Sequence, residues 1–365
     1  MSSIIIIGGG IIGLLTAFEL HRAGQKVTLI DRQAFGQESS WAGGGIISPL
    51  YPWRYPDAIT RLARFSQQIY PDTLAPMQQR TGLDPEFEPN GMLILGDYAR
   101  EQPQQWVTKH AINMRMVDAA QIHELAPELA ERHQQGWWMP DIHQLRNPRL
   151  VALVKAYLQT TDITLLEHEA VTAINTLQLR VDSISTSKST YRADQFVIAG
   201  GAWSSQLLQS RGADCGIKPI KGQMLLLQGR AGCVKRITLS EDRYIIPRKD
   251  GHVLIGSTTE DVGFNKDTSA QVREQLLDYA VRTIPALKSF TLQQHWSGLR
   301  PGSANGIPKI GQHPQLENLY INSGHYRNGL VLAPASARLL SEIMLHKALS
   351  LDQSDYAPCD GTHMI

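Results

Sequence analysis

The sequence predicts a mixed α/β plus α+β chain built from two interleaved domains, and three observations carry that expectation. A strand, glycine turn, helix and second strand follow one another within the first 31 residues. From Ile217 to Gly298 the hydrophobic pattern changes to short period-two runs bounded by turn residues. A strand-to-glycine turn at Ala199–Ser204, and a last strand and helix from Leu319 onward, return the chain to the first pattern.

The opening strand is Ile4–Ile7, an unbroken apolar run of the kind buried on both faces of a sheet. Gly8-Gly9-Gly10-Ile11-Ile12-Gly13 follows, then a helical stretch Leu14–Arg22, a capping Gly24, and the strand Lys26–Ile30 ending at Asp31. This is a complete Rossmann-like βαβ unit with G-x-G-x-x-G at Gly8, Gly10 and Gly13. Gly8 makes the tight turn, Gly10 lets backbone approach a pyrophosphate, and Gly13 permits close helix–strand packing. The helix amino end supplies N–H groups and a positive dipole end for phosphates. Asp31, 18 residues after Gly13, is placed to hydrogen-bond a ribose hydroxyl. Glu38–Ile46 is a second glycine-rich stretch, whose small residues let backbone run along the pyrophosphate to a flat ring system. Together they point to FAD among the dinucleotides.

Asp57 to Arg80 has helical periodicity through Ile59, Leu62, Phe65 and Ile69, interrupted by Pro71 and Pro76. Gly91–Leu95 reads as a strand, followed by a polar helical stretch to about Arg132. Pro148 suits the first turn of a helix running from Asn147 to Leu158. Short strands are expected around Val171–Ile174, Leu179–Ile184 and Gln195–Ile198. Tyr244–Pro247 and His252–Gly256 flank an Asp-Gly pair, a hairpin signal. Leu319–Asn322, a glycine loop over Ser323–Gly329 and a helix Leu330–His346 close the fold. The expected domains are 1–82, 147–216 and 303–365 for the dinucleotide, and 83–146 with 217–302 for a largely antiparallel substrate domain.

Composition excludes several classes. Thirty-five basic and 34 acidic residues leave a formal charge of +1, unlike a polyanion binder. No apolar run reaches the roughly 18 residues of a membrane span. Cys215, Cys233 and Cys359 form no CxxC pair, and the 12 histidines show no metal-ligand spacing, so neither a disulfide framework nor a metal is expected. A strand beginning at residue 4 leaves no room for a signal peptide, which makes the cytoplasm the expected location. Trp137-Trp138 reads as packing, and Ser204 and Ser205 as helix caps.

The order and spacing of Gly8–Gly13 with Asp31, Ser39–Ile46, Gly201–Ser204, Lys221–Gln223, Gly298–Gly302 and Gly324–Gly329 resemble the FAD-dependent D-amino acid oxidase superfamily over nearly the whole chain. Within it the sequence looks most like the glycine oxidases of bacterial thiamine biosynthesis. The resemblance implies FAD contacts at Ile11 and Ile12, at Asp31 and Arg32 on the ribose, and at Ser39, Ser40, Gly44, Gly45 and Ile46 towards the flavin. It implies Val171 beside the adenine. His325, Tyr326, Arg327, Asn328, Gly329, Leu330 and Val331 are expected at the flavin's carbonyl edge. Arg300, Tyr244 and Arg327 are the implied substrate residues, with Arg300 clamping a carboxylate through two parallel hydrogen bonds.

The implied reaction is oxidative deamination of glycine by hydride transfer to the flavin, with O2 as acceptor. Its products are glyoxylate, ammonia and H2O2, the imine being available to thiazole assembly. The alternatives within the resemblance are a sarcosine or small D-amino acid oxidase and a quinone-linked D-amino acid dehydrogenase. No cysteine falls in Leu299–Gly302, where monomeric sarcosine oxidases attach FAD, so the cofactor is expected to be non-covalent. A homotetramer is implied, and Asp242 and Thr259 are expected near the substrate cavity.

Overall fold

The computed structural model describes residues 2–96, 98, 100–130, 133–209 and 215–358. Their six-stranded sheet has the order Lys309–Gln312, Leu319–Ser323, Gln195–Ile198, Ser3–Ile7, Lys26–Ile30, Thr164–Leu166. All neighbours pair in parallel except the edge strand Lys309–Gln312. The isoleucine run shows why this sheet is central. Ile4 and Ile6 join Leu14 and Phe18 in a core shared with the helices Ile11–Arg22, Asp57–Thr81, Asn147–Leu158 and Gly329–Met344. Ile5 and Ile7 join Ile174 and Ile184 of a three-stranded sheet covering the other face.

The eight-stranded sheet runs Thr291–Gly302, Lys218–Gln228, His252–Gly256, Arg243–Pro247, Ile237–Ser240, Met92–Leu95, Gln135–Met139, Arg115–Asp118. Its pairs are antiparallel apart from Ile237–Ser240 with Met92–Leu95. The two longest strands pair from Lys218 opposite Gly302 to Gln228 opposite Thr291. That register sets Arg300 opposite Ile220 and Gly298 opposite Gly222. Helix Ala270–Thr283 packs on one face through Leu276 and Tyr279, while Met224, Tyr244, Ile246 and Trp296 belong to the other. No helix among the described residues is long and apolar enough to cross a membrane.

Three local expectations are corrected. Asp57–Thr81 is one helix with Pro71 and Pro76 inside it, because the buried face from Ile59 to Met77 holds its axis where propensity alone would break it. The polar stretch after Leu95 contains the edge strand Arg115–Asp118 between two helices. Only its Val117 is buried, which erases the period-two signal. Residues 131 and 132, at the end of that stretch, lie outside the described residues. The Ser204 and Ser205 hydroxyls bond Ser323 Oγ at 2.7 Å and the Ile217 N–H at 2.9 Å, so they tie a helix start to neighbouring segments. Trp137 and Trp138 are buried in the sheet's two packing layers, as expected.

The closing helix is interrupted chemically at Pro334, which has no N–H for the Leu330 carbonyl one turn earlier. The Tyr70 hydroxyl donates to that carbonyl at 2.7 Å, and Ser66 Oγ accepts from the Ala335 N–H at 3.0 Å. The long helix therefore completes the helix that faces the cavity. Tyr70→Phe is expected to lower stability by about 1–3 kcal/mol in urea unfolding, the cost of a buried carbonyl left without a donor. An unchanged midpoint would mean that the carbonyl finds another partner.

Candidate active site

A cavity of about 570 Å³ lies between the six- and eight-stranded sheets. Gly8, Gly10, Ile11, Ile12, Asp31, Arg32, Ser39, Ser40, Gly44, Gly45, Ile46, Val171, His325, Tyr326, Arg327, Gly329, Leu330 and Val331 all line it, as do Arg300 and Tyr244. Gly13 and Asn328 do not. A Cβ on Gly13 would stand 1.9 Å from the Gly8 carbonyl oxygen, so its work is helix–strand approach. Asn328 is buried at the N-cap position of the closing helix. Asp242 and Thr259 are both exposed and outside the cavity wall, contrary to expectation. Asp242 instead pairs with Arg54 Nη1 at 2.7 Å, at the tip of its hairpin.

The glycine turn forms a cradle. Gly8 has φ of +115°, and a Cβ there would lie 2.3 Å from the Ala199 oxygen. Around Gly10, a Cβ would meet only Ser40 Oγ, at 3.0 Å. Asp31 receives the Gly9 and Gln33 N–H groups at 2.7 and 2.8 Å, and burial raises its pKa above the ordinary carboxyl value. Arg32 lies over the Trp203 ring, 3.9 Å from its centroid. Trp203 itself forms part of the cavity wall.

Segment 39–46 is held from outside by its carbonyls. Asn147 Nδ2 donates to Ser40 O at 3.0 Å, Trp296 Nε1 to Ala42 O at 3.1 Å, and Arg248 Nη2 to Gly44 O at 2.9 Å. The Leu145 N–H takes the Gly45 oxygen at 2.9 Å. With its acceptors spent on the scaffold, this backbone can offer donors to the cavity. Buried polar atoms of lining residues stay unpaired, among them His325 Nδ1, Arg327 Nη2 and Asn147 Oδ1. A glycine cradle at a helix amino end, the cavity it opens into, and unpaired polar atoms that donate (Arg327 Nη2) and accept (Asn147 Oδ1) fit FAD, whose phosphates, sugars and flavin carry both acceptors and donors.

Beyond the glycines, Arg300 lies flat over Gly222, where a Cβ would approach its guanidinium atoms to 2.2–2.4 Å. Its Nη1 donates to Thr258 O at 3.1 Å and Lys221 O at 3.3 Å, and its Nη2 to Ser257 Oγ at 2.7 Å. The Nε–H and one Nη2 N–H have no partner among the described residues. Burial lowers the Arg300 pKa, and the like charge of Arg327 acts in the same direction. Two guanidinium groups facing one enclosed space are stabilised by an anion between them. The Tyr244 ring is confined by Gly44 and Gly256, and its hydroxyl bonds Met224 Sδ at 3.5 Å. Sequence reasoning missed Ser257, Met224, Asn147 and Arg248. Only the Lys221-Gly222-Gln223 motif signalled Gly222.

The cradle and the cavity it opens into define a dinucleotide-cofactor protein with a Rossmann-type sheet. The chain matches the FAD dependent oxidoreductase (DAO) family over residues 3–343, and it belongs to that family. It is 42% identical to a glycine oxidase of Pseudomonas aeruginosa over 356 residues, 97% of this chain and 98% of that one. The bifunctional protein ThiO/ThiG of Synechocystis is 32% identical over 356 residues, 96% of this chain and 52% of that protein. The crystal structure of a Bacillus cereus glycine oxidase superimposes with a TM-score of 0.88 at 27% identity, covering 99% of each chain.

His325 gives a pH test of the closing segment. Burial pushes its imidazole pKa down to about 3, and its Nε2 lies 3.0 Å from Ser336 Oγ. Between pH 6.5 and about 3 the unfolded chain binds the extra proton, so this residue's contribution to stability falls as pH is lowered through that window. Tm measured against pH is expected to fall less steeply below pH 6.5 in His325→Gln than in the parent. Equal slopes would show that His325 ionises in the folded protein without penalty.

Proposed function

We propose that this FAD-dependent oxidoreductase is a glycine oxidase that seats the substrate carboxylate on Arg300. The observation that carries the reading is the Arg300 guanidinium, laid on the Gly222 backbone and anchored by Nη1 while Nε remains uncommitted. A planar fork in that state matches a carboxylate, and a lysine could not reproduce it. Arg327, in the same cavity, adds a second positive charge. Tyr244, confined by its two glycines, forms a wall that keeps the substrate space small. FAD, when bound, would supply a two-electron hydride acceptor that O2 can reoxidise, so that glycine, O2 and the water that hydrolyses the imine would give glyoxylate, ammonia and H2O2.

The protein's own work is orientation and charge. Arg300 fixes the carboxylate, which limits the positions open to the substrate carbon and amine. The amino end of helix Gly329–Met344 contributes its positive dipole end to the cavity. His325, held neutral by burial, adds no charge there.

The division of labour between residues 1–82, 147–216 and 303–365 for FAD, and 83–146 and 217–302 for substrate, is part of this proposal. Strand membership supports it, since the six-stranded sheet draws only on the first set and the eight-stranded sheet only on the second. The family resemblance supports a homotetramer whose imine feeds thiazole assembly.

The deciding experiment is anaerobic mixing of the FAD-loaded protein with glycine, sarcosine, D-alanine and D-proline, followed by flavin absorbance. Rapid bleaching by glycine, with recovery and H2O2 on admitting air, is expected. Bleaching without recovery in air would make the protein a dehydrogenase, and no bleaching by any of the four would remove the substrate assignment.

Arg300→Lys should keep FAD yet weaken glycine binding by about 1.5–3 kcal/mol, the worth of hydrogen bonds to a charged group. Gly222→Ala should reproduce the defect without touching Arg300, because the new methyl group displaces the guanidinium. Unchanged apparent affinity for glycine in both variants would refute the clamp.

A further inference from the structure

Ser257 follows the strand His252–Gly256, is buried, and lines the same cavity as Arg300. Its hydroxyl oxygen accepts the 2.7 Å hydrogen bond from Arg300 Nη2. A serine hydroxyl also carries one O–H to donate. Among the described residues, Ser257 Oγ has no second partner, so that proton has no acceptor until something enters the cavity.

The surroundings keep the hydroxyl and the guanidinium in register. Lys221 and Glu260 exchange backbone hydrogen bonds at 2.9 Å in both directions. The buried Lys221 ammonium lies 2.9 Å from Glu260 Oε2 and donates to Asp267 O at 3.0 Å. Thr258 Oγ1 accepts the Gln223 N–H at 2.9 Å and donates to Glu260. This network immobilises the Lys221 and Thr258 carbonyls that hold Nη1. Arg300 cannot turn to free Ser257, and Ser257 cannot withdraw without stranding an Nη2 proton.

We propose that Ser257 is a substrate-binding residue, whose hydroxyl accepts from Arg300 and donates to a carboxylate oxygen of the substrate. This rests on the reading that the carboxylate sits on Arg300, and it adds a third contact to that fork. A carboxylate suits the position because it only accepts, which matches two arginine N–H groups and one hydroxyl proton.

The test uses the FAD-loaded protein and acetate, a carboxylate with no amine to oxidise. Acetate affinity is read by titrating the flavin absorbance, and glycine KM and kcat are measured separately. Ser257→Ala is expected to weaken acetate binding and raise the glycine KM about tenfold, with kcat within twofold and FAD affinity unchanged. Ser257→Thr, which keeps the hydroxyl, should stay within about threefold of the parent. Parental acetate affinity in Ser257→Ala overturns the proposal. So does a loss confined to kcat or FAD retention, which marks a purely structural role, and so does a parent protein whose flavin acetate never perturbs. A parent that binds acetate but is not reduced by glycine would remove the substrate assignment, while the effect of Ser257→Ala on acetate binding still decides the role of Ser257.

Discussion

The buried guanidinium of Arg248 joins the two halves of the molecule at the cavity wall. It leaves the end of strand Arg243–Pro247 and donates to Gln144 Oε1 at 2.7 Å, Leu145 O at 3.0 Å and Gly44 O at 2.9 Å. Burial, with Arg146 nearby, pushes its pKa down to about 10, still leaving it charged at neutral pH. A charge so enclosed is tolerated when most of its donors are met, and here both Nη groups are bonded while Nε has no partner among the described residues. The oxygens that meet them belong to the segments that must not move. Gln144 in turn donates to Pro247 O at 2.7 Å and to Asn90 Oδ1, closing the knot.

From that knot the second glycine-rich segment takes its course. Its Ser40, Ala42, Gly44 and Gly45 carbonyls are all turned to outside donors, and Ser40 Oγ receives the Ile11 N–H at 2.8 Å. The first glycine turn and the second segment are thus cross-tied at the helix amino end. The cofactor cradle is fixed by hydrogen bonds that the cofactor itself does not make. The closing helix is treated likewise, with Tyr70 and Ser66 serving the turn around Pro334.

At the opposite end of the cavity, strand register does the positioning. Gly222 and Gly298 face each other across the long pair of strands, and Arg300 follows two residues later. A Cβ on Gly298 would come to 2.6 Å of Ala42 Cβ, so this glycine lets the eight-stranded sheet approach the cofactor segment. Gly222 lets the guanidinium lie on the strand. Both glycines are explained by what crosses them, and neither has a positive φ.

The βαβ opening, the hairpin at Asp250-Gly251, the two kinds of sheet and most of the cradle are legible in the sequence, since each is encoded within a few neighbouring residues. Its motifs also singled out Arg300, Arg327 and Tyr244 through the family resemblance, and the three residues line one cavity. Pattern misread Pro71 and Pro76 as interruptions, and polar exposure hid the strand Arg115–Asp118, because burial against distant partners settled both. The tertiary structure alone decided what holds the site. Ser257 meets Arg300 across 43 positions of chain and Arg248 meets Gly44 across 204. Contacts between residues so far apart leave no periodicity or spacing in the sequence, and they exist only once both sheets have closed on the cavity.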